Sequence, residues 1–284
     1  MIRTRNLTAA LLLLGPAFAA VLLLRLWPAM SAIHLSLLAP GETTYSLENY
    51  EYIFGDRVFR NSLATTLLYS LIVNPLQIAI ALGLALLLNA SIPFVGLWRA
   101  LILLPVAIPQ SVSAVVWGVG LRPDGPVNAL LGIIGLGEQR FFTSPDQALA
   151  SVILVVSWIG VGYWMTMLLA GLQDIPKSLY EAAWIDGANR LQLFWHVTLP
   201  MLRRPLTFVL VADTVANFLV FAPVQILTQG GPSGSTNLIM NEIYTRGFIS
   251  GDGGSAAAAT VVLVAAVLCV VLVQFRLMAA PEDK

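Results

Sequence analysis

The chain of 284 residues is 58% hydrophobic and 11% charged, with a mean hydropathy of +0.83, which excludes an ordinary soluble domain. Its 15 basic and 15 acidic residues balance and give no reason to expect nucleic acid as a partner. A single cysteine, Cys269, excludes an intrachain disulfide framework. Composition therefore predicts a protein of the lipid bilayer, and the six spans described next make the expected fold class all-α.

Six apolar segments are each long enough to cross a hydrocarbon core about 30 Å thick, which takes about 20 helical residues. They lie at residues 9–37, 62–88, 99–121, 147–171, 204–228 and 255–275. The first segment is too long for the apolar region of a signal peptide and lacks a convincing cleavage site, so it is predicted to be a membrane helix. Residues 1–284 are interpreted as a single transmembrane domain.

The positions of Lys and Arg predict the orientation, because these residues are retained on the cytoplasmic side. The side of the two termini holds Arg3, Arg5, Arg99, Lys177, Arg190, Arg203, Arg204, Arg276 and Lys284, and the other side holds Arg57, Arg60, Arg122, Arg140 and Arg246. The excess of basic residues on the side of the termini predicts that both termini are cytoplasmic. The loop 172–203, between the fourth and fifth spans, is predicted to lie on the same side.

This loop contains the stretch EAAWIDGANRLQLFWHVTLP, from Glu181 to Pro200. A helical run, a bend at Gly187 and a second helical run ended by Pro200 are predicted. The stretch carries an apolar surface too large to remain in water without a partner. The residues alone leave two alternatives open: a hairpin packed on its own protein, or a docking surface.

The spacing within the stretch resembles the EAA loop of ABC importer permeases. Glu-Ala-Ala is followed after three residues by Gly187, and after nine more by Val197 and then Leu-Pro; the family more often has Ile at the position of Val197. The resemblance implies a coupling helix that docks on a cytoplasmic ATPase. The docking residues it implies are Glu181, Ala182, Ala183, Asp186, Gly187, Leu199 and Pro200.

A second passage, Leu227 to Phe248, resembles the outer loop of the carbohydrate group of these permeases, which handles maltose and glycerol phosphate. It reads LTQGGPSGSTNLIMNEIYTRGF. Trp27-Pro28, the run from Leu47 to Tyr50, and Leu103-Leu104-Pro105 agree with the same group, so the resemblance covers nearly the whole chain. The chain departs from the maltose-type large subunit, which has an extra outer domain and additional helices. A type I importer bundle of six transmembrane helices is the implied fold.

No phosphate-binding loop, metal-ligand cluster or nucleophile with a base is found, so the chain is predicted to be non-catalytic, with no metal and no cofactor of its own. The resemblance implies a bacterial inner-membrane protein that is surrounded by lipid and forms a heterodimer with a second permease. It also implies two ATPase subunits, which carry ATP and Mg, and an extracytoplasmic solute-binding protein. The expected activity is uptake of a sugar, glycoside, polyol or glycerol phosphate by alternating access.

Polar and aromatic residues within the spans are the candidates for solute contact. Asp213 and Asn217 share one helical face at i,i+4 spacing, where they either bind solute or clamp two helices together. The other candidates are Asn74, Gln77, Trp117, Trp158, Tyr163 and Trp164, whose rings also suit an interfacial belt. The alternative functions are an ion-coupled transporter or channel that uses Arg25 and Asp213, and a structural scaffold.

Overall fold

The computed structural model describes residues 2–41, 43–90 and 92–278, with side chains from Leu12 onward. Lys284, and the side chains of Arg3 and Arg5, which entered the charge count, lie outside the described residues. Within them the only extended pairing is an isolated bridge between Leu38 and Tyr45, and the all-α prediction is confirmed. The α-helices are α1 (Ile2–Val21), α2 (Trp27–Ser36), α3 (Glu48–Gly55), α4 (Arg57–Asn89), α5 (Val95–Leu103), α6 (Gln110–Gly120), α7 (Pro126–Ile133), α8 (Pro145–Gln173), α9 (Lys177–Ile185), α10 (Arg190–Leu193), α11 (Leu199–Met201), α12 (Arg203–Phe218), α13 (Ala222–Leu227), α14 (Ile239–Tyr244) and α15 (Gly253–Met278).

Five helical segments of the described chain are long and apolar enough to cross a membrane. They are Leu12–Ser36, Arg57–Asn89, Pro145–Gln173, Arg203–Leu227 and Gly253–Met278. A bent pair, Val95–Ala107 with Gln110–Gly120, makes a sixth crossing if the two helices are counted as one span. The predicted helical membrane bundle is confirmed at this level.

The predicted third span, 99–121, is broken into two helices. The two halves meet at an angle of 99°, after a 3₁₀ turn at Leu104–Ala107. Ile108 is extended, with φ −93° and ψ 130°, because the ring of Pro109 clashes with a helical backbone at the preceding residue. In contrast, α4 continues through Pro75 without ending.

The described chain forms two compact units. The smaller comprises the residues up to Arg60 together with Ile243–Ala265, and the larger comprises Asn61–Glu242 with the residues from Ala266 onward.

In the smaller unit, the buried Asn49 amide donates to the Ser36 carbonyl at 3.1 Å and to the Leu38 carbonyl at 2.7 Å. The Asn49 amide thereby fixes α3 to the C-terminal end of α2.

An ion pair between Asp56 and Arg246 lies in the same unit. The Arg246 guanidinium is buried over the rings of Tyr52 and Phe59, with its carbon 5.6 and 5.9 Å from the ring centroids. Partial burial raises the pKa of Asp56, but hydrogen bonds from the Val58 N–H and from Arg246, and the charge of Arg246, hold that pKa below its ordinary value. Asp56 is therefore a paired carboxylate at neutral pH.

The core of the larger unit lies between α4, α8 and α12. Its buried side chains are Ala81, Ala85, Leu88, Val161, Trp164, Met165, Leu168, Leu169, Leu172, Ile175, Leu202, Leu206 and Val209. Two glycines of α8 allow close approach, as small residues do between membrane helices. A Cβ atom at Gly162 would lie 2.3 Å from the Ile102 carbonyl oxygen, and one at Gly171 would lie 2.7 Å from Pro205 Cγ.

Candidate solute cavity and coupling loop

The loop from Glu181 to Pro200 has the shape helix, bend, helix. Helix α9 ends at Ile185, and Gly187 turns the chain with φ +82°, a conformation that glycine adopts without strain. The next helix begins with a capping box: Asn189 Oδ1 accepts from the Gln192 N–H at 3.0 Å, and Gln192 Oε1 accepts from the Asn189 N–H at 2.8 Å. The bend is thus built into the local sequence.

The sequence predicted that Pro200 ends the second helical run. In the structure it does not. It lies within α11, near the start of that helix, after a π-helical turn at Phe194–Thr198. A proline near the start of a helix needs no hydrogen-bond acceptor for its missing N–H, so the chain continues in helical form. The break comes at Leu202, after which α12 begins.

The predicted docking residues are accessible. Glu181, Ala182, Asp186, Gly187 and Pro200 are exposed, whereas Ala183 and Leu199 are half-buried. The loop also exposes large apolar side chains, among them Ile185, which is 86% exposed. The others are Trp184, Leu191 and Trp195. Such a contiguous apolar surface is typical of a protein contact site.

A notch of about 270 Å³ lies on the inner side of the bend. It is lined by Ala183, Asp186, Gly187, Ala188, Gln192, Leu193, His196 and Val197. His196 Nδ1 lies 3.0 Å from the Gln192 carbonyl oxygen; because a carbonyl oxygen only accepts, Nδ1 is the donor in this contact.

The coupling loop is attached to the core of the larger unit. The Tyr180 hydroxyl lies 3.0 Å from Thr198 Oγ1 and joins α9 to the π-helical turn. Tyr180 and Leu199 also pack against the buried cluster that α8 and α12 share. The loop therefore packs directly on these two membrane helices.

A cavity of about 320 Å³ lies within the larger unit, between α4, α6, α8, α12 and α13. Its polar lining consists of Gln77, Gln110, Tyr163, Trp164, Asp213 and Asn217, and its apolar lining includes Val106, Ile108, Val156, Ile159, Ala216, Val220 and Pro223. The mixture of amides, aromatic rings and one carboxyl group suits a small polar solute.

Asn217 is the centre of a buried hydrogen-bond network beneath the cavity. Its Nδ2 donates to Asp213 Oδ1 at 3.0 Å, to Asn74 Oδ1 at 2.8 Å and to Gln77 Oε1 at 3.4 Å. Its Oδ1 accepts from the Tyr69 hydroxyl at 3.2 Å. The network joins α4 to α12 and fixes the side chains that face the cavity.

The predicted solute residues separate into three groups. Gln77, Tyr163, Asp213 and Asn217 line the cavity together, as does Trp164. Asn74 lies behind it and positions Asn217. Trp117 and Trp158 do not line this cavity: they pack edge to face, with ring centroids 5.5 Å apart, and Trp158 borders a separate apolar groove of about 900 Å³.

Sequence reasoning missed Gln110 and Gly160. Gln110 follows Pro109 directly and begins α6, so a polar residue at the break of a membrane segment was the available signal. A Cβ atom at Gly160 would lie 3.5 Å from Gln77 Oε1. Gly160 thus leaves space at the cavity wall that any larger side chain would reduce.

Arg25 lies exposed in a π-helical turn of the first membrane segment. Asp213 belongs to the other unit and is buried. Among the described residues no group of three or more His, Cys, Asp or Glu side chains has the arrangement of a metal site.

Comparison with known proteins gives consistent matches. A family model described as "binding-protein-dependent transport system inner membrane component" matches residues 56–280. The sulfoquinovosyl glycerol transport system permease protein of Agrobacterium fabrum is 33% identical, over 96% of this chain and 91% of its own length. The trehalose/maltose transport system permease protein of Thermococcus litoralis is 32% identical, over 84% and 83%.

A solved structure has the same fold. It is a bacterial alginate ABC transporter in complex with alginate pentasaccharide-bound periplasmic protein, with a TM-score of 0.85, 24% identity, and coverage of 97% of this chain and 94% of that chain. The similar proteins are transport permeases and not enzymes, as the sequence predicted. The chain belongs to the family of binding-protein-dependent transport system inner membrane components, in its carbohydrate ABC transporter permease group.

Proposed function

We propose that this chain is the permease subunit of an ATP-driven importer that moves a carbohydrate or related polar solute into the cytoplasm by alternating access. In this proposal, ATP binding closes a separate ATPase dimer and displaces loop 181–200. The pathway then opens outward, and hydrolysis resets it. The two states differ in the contacts that each nucleotide state makes, which is what drives the alternation.

One observation carries the proposal: the exposed loop is tied to the same helices that line the cavity. Tyr180 and Leu199 pack on the cluster shared by α8 and α12, and Tyr163 and Asp213 on these helices face the cavity. An ATPase docked on Trp184 and its exposed neighbours would therefore act on the solute site through two rigid helices.

The remaining components follow from the chemistry that this chain lacks. It carries no phosphate-binding loop, so two cytoplasmic ATPase subunits supply ATP and Mg. A second permease forms a heterodimer with this chain, and an extracytoplasmic solute-binding protein delivers the solute. In this arrangement residues 1–284 act as one transmembrane domain, residues 172–203 and both termini are cytoplasmic, and the chain itself binds no cofactor.

The first test reverses the charge of Glu181, which is exposed on the loop. In the reconstituted importer, Glu181→Lys lowers ATP-dependent uptake at least about tenfold, because a reversed charge at an interface ion pair costs more than the roughly 1.4 kcal/mol that corresponds to tenfold. Glu138→Lys, at an exposed acid outside the loop, is the control and keeps normal uptake. Normal uptake by Glu181→Lys would exclude a coupling role for this residue.

A second test uses two glycines with nearly the same backbone angle. Gly187 has φ +82° and Gly135 has φ +77°, and neither has an atom within 4 Å of a built Cβ. Valine at either position carries strain of roughly 1–2 kcal/mol. Gly187→Val reduces the ATPase that co-purifies with the chain by a factor of about 5–30, whereas Gly135→Val does not. Equal retention by both variants would count against the bend as a docking element.

Liposomes distinguish the importer from an ion-coupled transporter that uses Arg25 and Asp213. The importer moves solute only when the ATPase subunits and ATP are present. Uptake by the purified chain alone, driven by an ion gradient, would refute the proposal.

A further inference from the structure

The cavity in the larger unit carries one formally charged side chain, that of Asp213. Its other polar lining residues, Gln77, Gln110, Tyr163, Trp164 and Asn217, are neutral, and none of its lining residues in the described part of the chain is Lys, Arg or His. A site for a phosphate, sulfonate or carboxylate normally provides Arg, Lys or a helix N-terminus. This cavity instead has one acidic side chain and no basic side chain among its described lining residues.

One carboxyl oxygen of Asp213, Oδ2, makes no full hydrogen bond to the described residues. The side chain is only 1% exposed. Oδ1 accepts from Asn217 Nδ2 at 3.0 Å. Oδ2 is buried and has no partner with full hydrogen-bond geometry among the described residues, and the Trp164 indole N–H is a weak donor to the same carboxyl group. Buried polar atoms normally have a hydrogen-bond partner, so this oxygen can accept a hydrogen bond from a ligand donor.

The neighbouring groups match a hydroxylated ring. Tyr163 and Trp164 pack edge to face, with centroids 4.9 Å apart, and give the cavity an aromatic wall. The Gln110 amide offers both a donor and an acceptor, which is the combination that a sugar hydroxyl needs.

We propose that this cavity selects a neutral, polyhydroxylated solute and rejects anionic ones, with Asp213 Oδ2 accepting a hydrogen bond from a solute hydroxyl. This inference rests on the proposed importer function and narrows its solute class. In neither protonation state does Asp213 bring positive charge to the site. An anionic solute in the cavity would lose its hydration without gaining a charged partner from this chain.

The test uses the complete importer, with its partner subunits and binding protein, in proteoliposomes. The probes are matched pairs: trehalose, maltose and glycerol, each with its phosphate ester. We expect at least one neutral member to be taken up about tenfold or more faster than its phosphate, since like charges a few ångströms apart repel strongly in a medium of low dielectric constant. Asp213→Asn should reduce this ratio severalfold, and Asp213→Glu should retain it.

Asp124→Asn is the control variant, because Asp124 is exposed and does not line the cavity. Faster uptake of a phosphate than of its neutral partner in the unsubstituted importer overturns the inference and leaves the importer function intact. So does an unchanged ratio in a folded Asp213→Asn importer; if that variant does not fold, the ratio of the unsubstituted importer decides. If no ATP-dependent uptake occurs with any solute, the importer function fails, and the inference fails with it.

Discussion

At the scale of single residues, polar side chains in this protein stabilise specific junctions. Asp56 shows two roles at once: its Oδ1 accepts from the Val58 N–H at 2.9 Å at the start of α4, and its carboxylate pairs with the buried Arg246. Asparagine keeps the first role, since it caps helices as well as aspartate does, but not the second. The two contributions are therefore experimentally separable.

Asp56→Asn is expected to lower the stability of the purified chain by about 2 kcal/mol at neutral pH, the typical net value of a hydrogen bond to a charged group. The pKa of Asp56 is lowered in the folded state, so its stabilisation is present above the unfolded pKa and is lost as pH falls through the folded value. The melting temperatures of the two proteins should thus converge below about pH 3.8, the ordinary value. A difference in melting temperature between the two proteins that does not depend on pH would contradict the ion-pair explanation.

At the scale of elements, the contact between α8 and α12 depends on the absence of a side chain. Gly171 faces Pro205 so closely that any Cβ would have to displace it. In a bilayer, helices associate through van der Waals packing and have little hydrophobic driving force between them, so small residues at the contact determine how closely they approach.

Gly171→Leu is expected to destabilise the chain by about 1–3 kcal/mol, the usual cost of overpacking a well-packed core. Gly83→Leu, in α4, is the matched control, because a Cβ at Gly83 has no atom within 4 Å and leucine favours helix. Thermal unfolding in detergent measures both. Equal melting temperatures for the two variants would show that α8 and α12 are not in close contact at this point.

At the scale of the whole molecule, the path from the loop to the cavity contains a hydrogen bond that can be removed without changing the docking surface. It joins the Tyr180 hydroxyl to Thr198 Oγ1 across the bend. In the proposed mechanism, docking of the ATPase needs the exposed residues around Trp184 and Ile185, whereas transmission of its movement needs the loop to move as one body. Removal of this bond distinguishes the two requirements.

Tyr180→Phe should leave the ATPase bound but lower uptake about fivefold, because one hydrogen bond contributes roughly 1 kcal/mol to the rigidity of the loop. Combining it with Thr198→Val should lower uptake no further than Thr198→Val alone, since both changes remove the same bond. Tyr45→Phe, at an exposed tyrosine of the smaller unit, is the control. Fully additive losses would mean that the two residues act independently.

The sequence by itself determined the fold class, the apolar segments and the shape of the loop at Gly187. These features depend on local chemistry: about 20 apolar residues in a row, a glycine at a left-handed position, and a capping box at Asn189 and Gln192. The same local reasoning misjudged Pro200, because the π-helical turn before it keeps the chain helical through this proline.

Only the tertiary structure decided which polar residues face a common space. Gln77, Tyr163 and the neighbouring pair Asp213 and Asn217 come from three separate helices yet line one cavity. Trp158 borders a different groove, and Gln110 lines the cavity without having been predicted. Helical periodicity assigns a residue to a face of its own helix, but the helix that lies opposite depends on packing between distant segments. For this reason the sequence indicated which loop is a candidate contact surface, and only the three-dimensional arrangement indicated which side chains share a cavity.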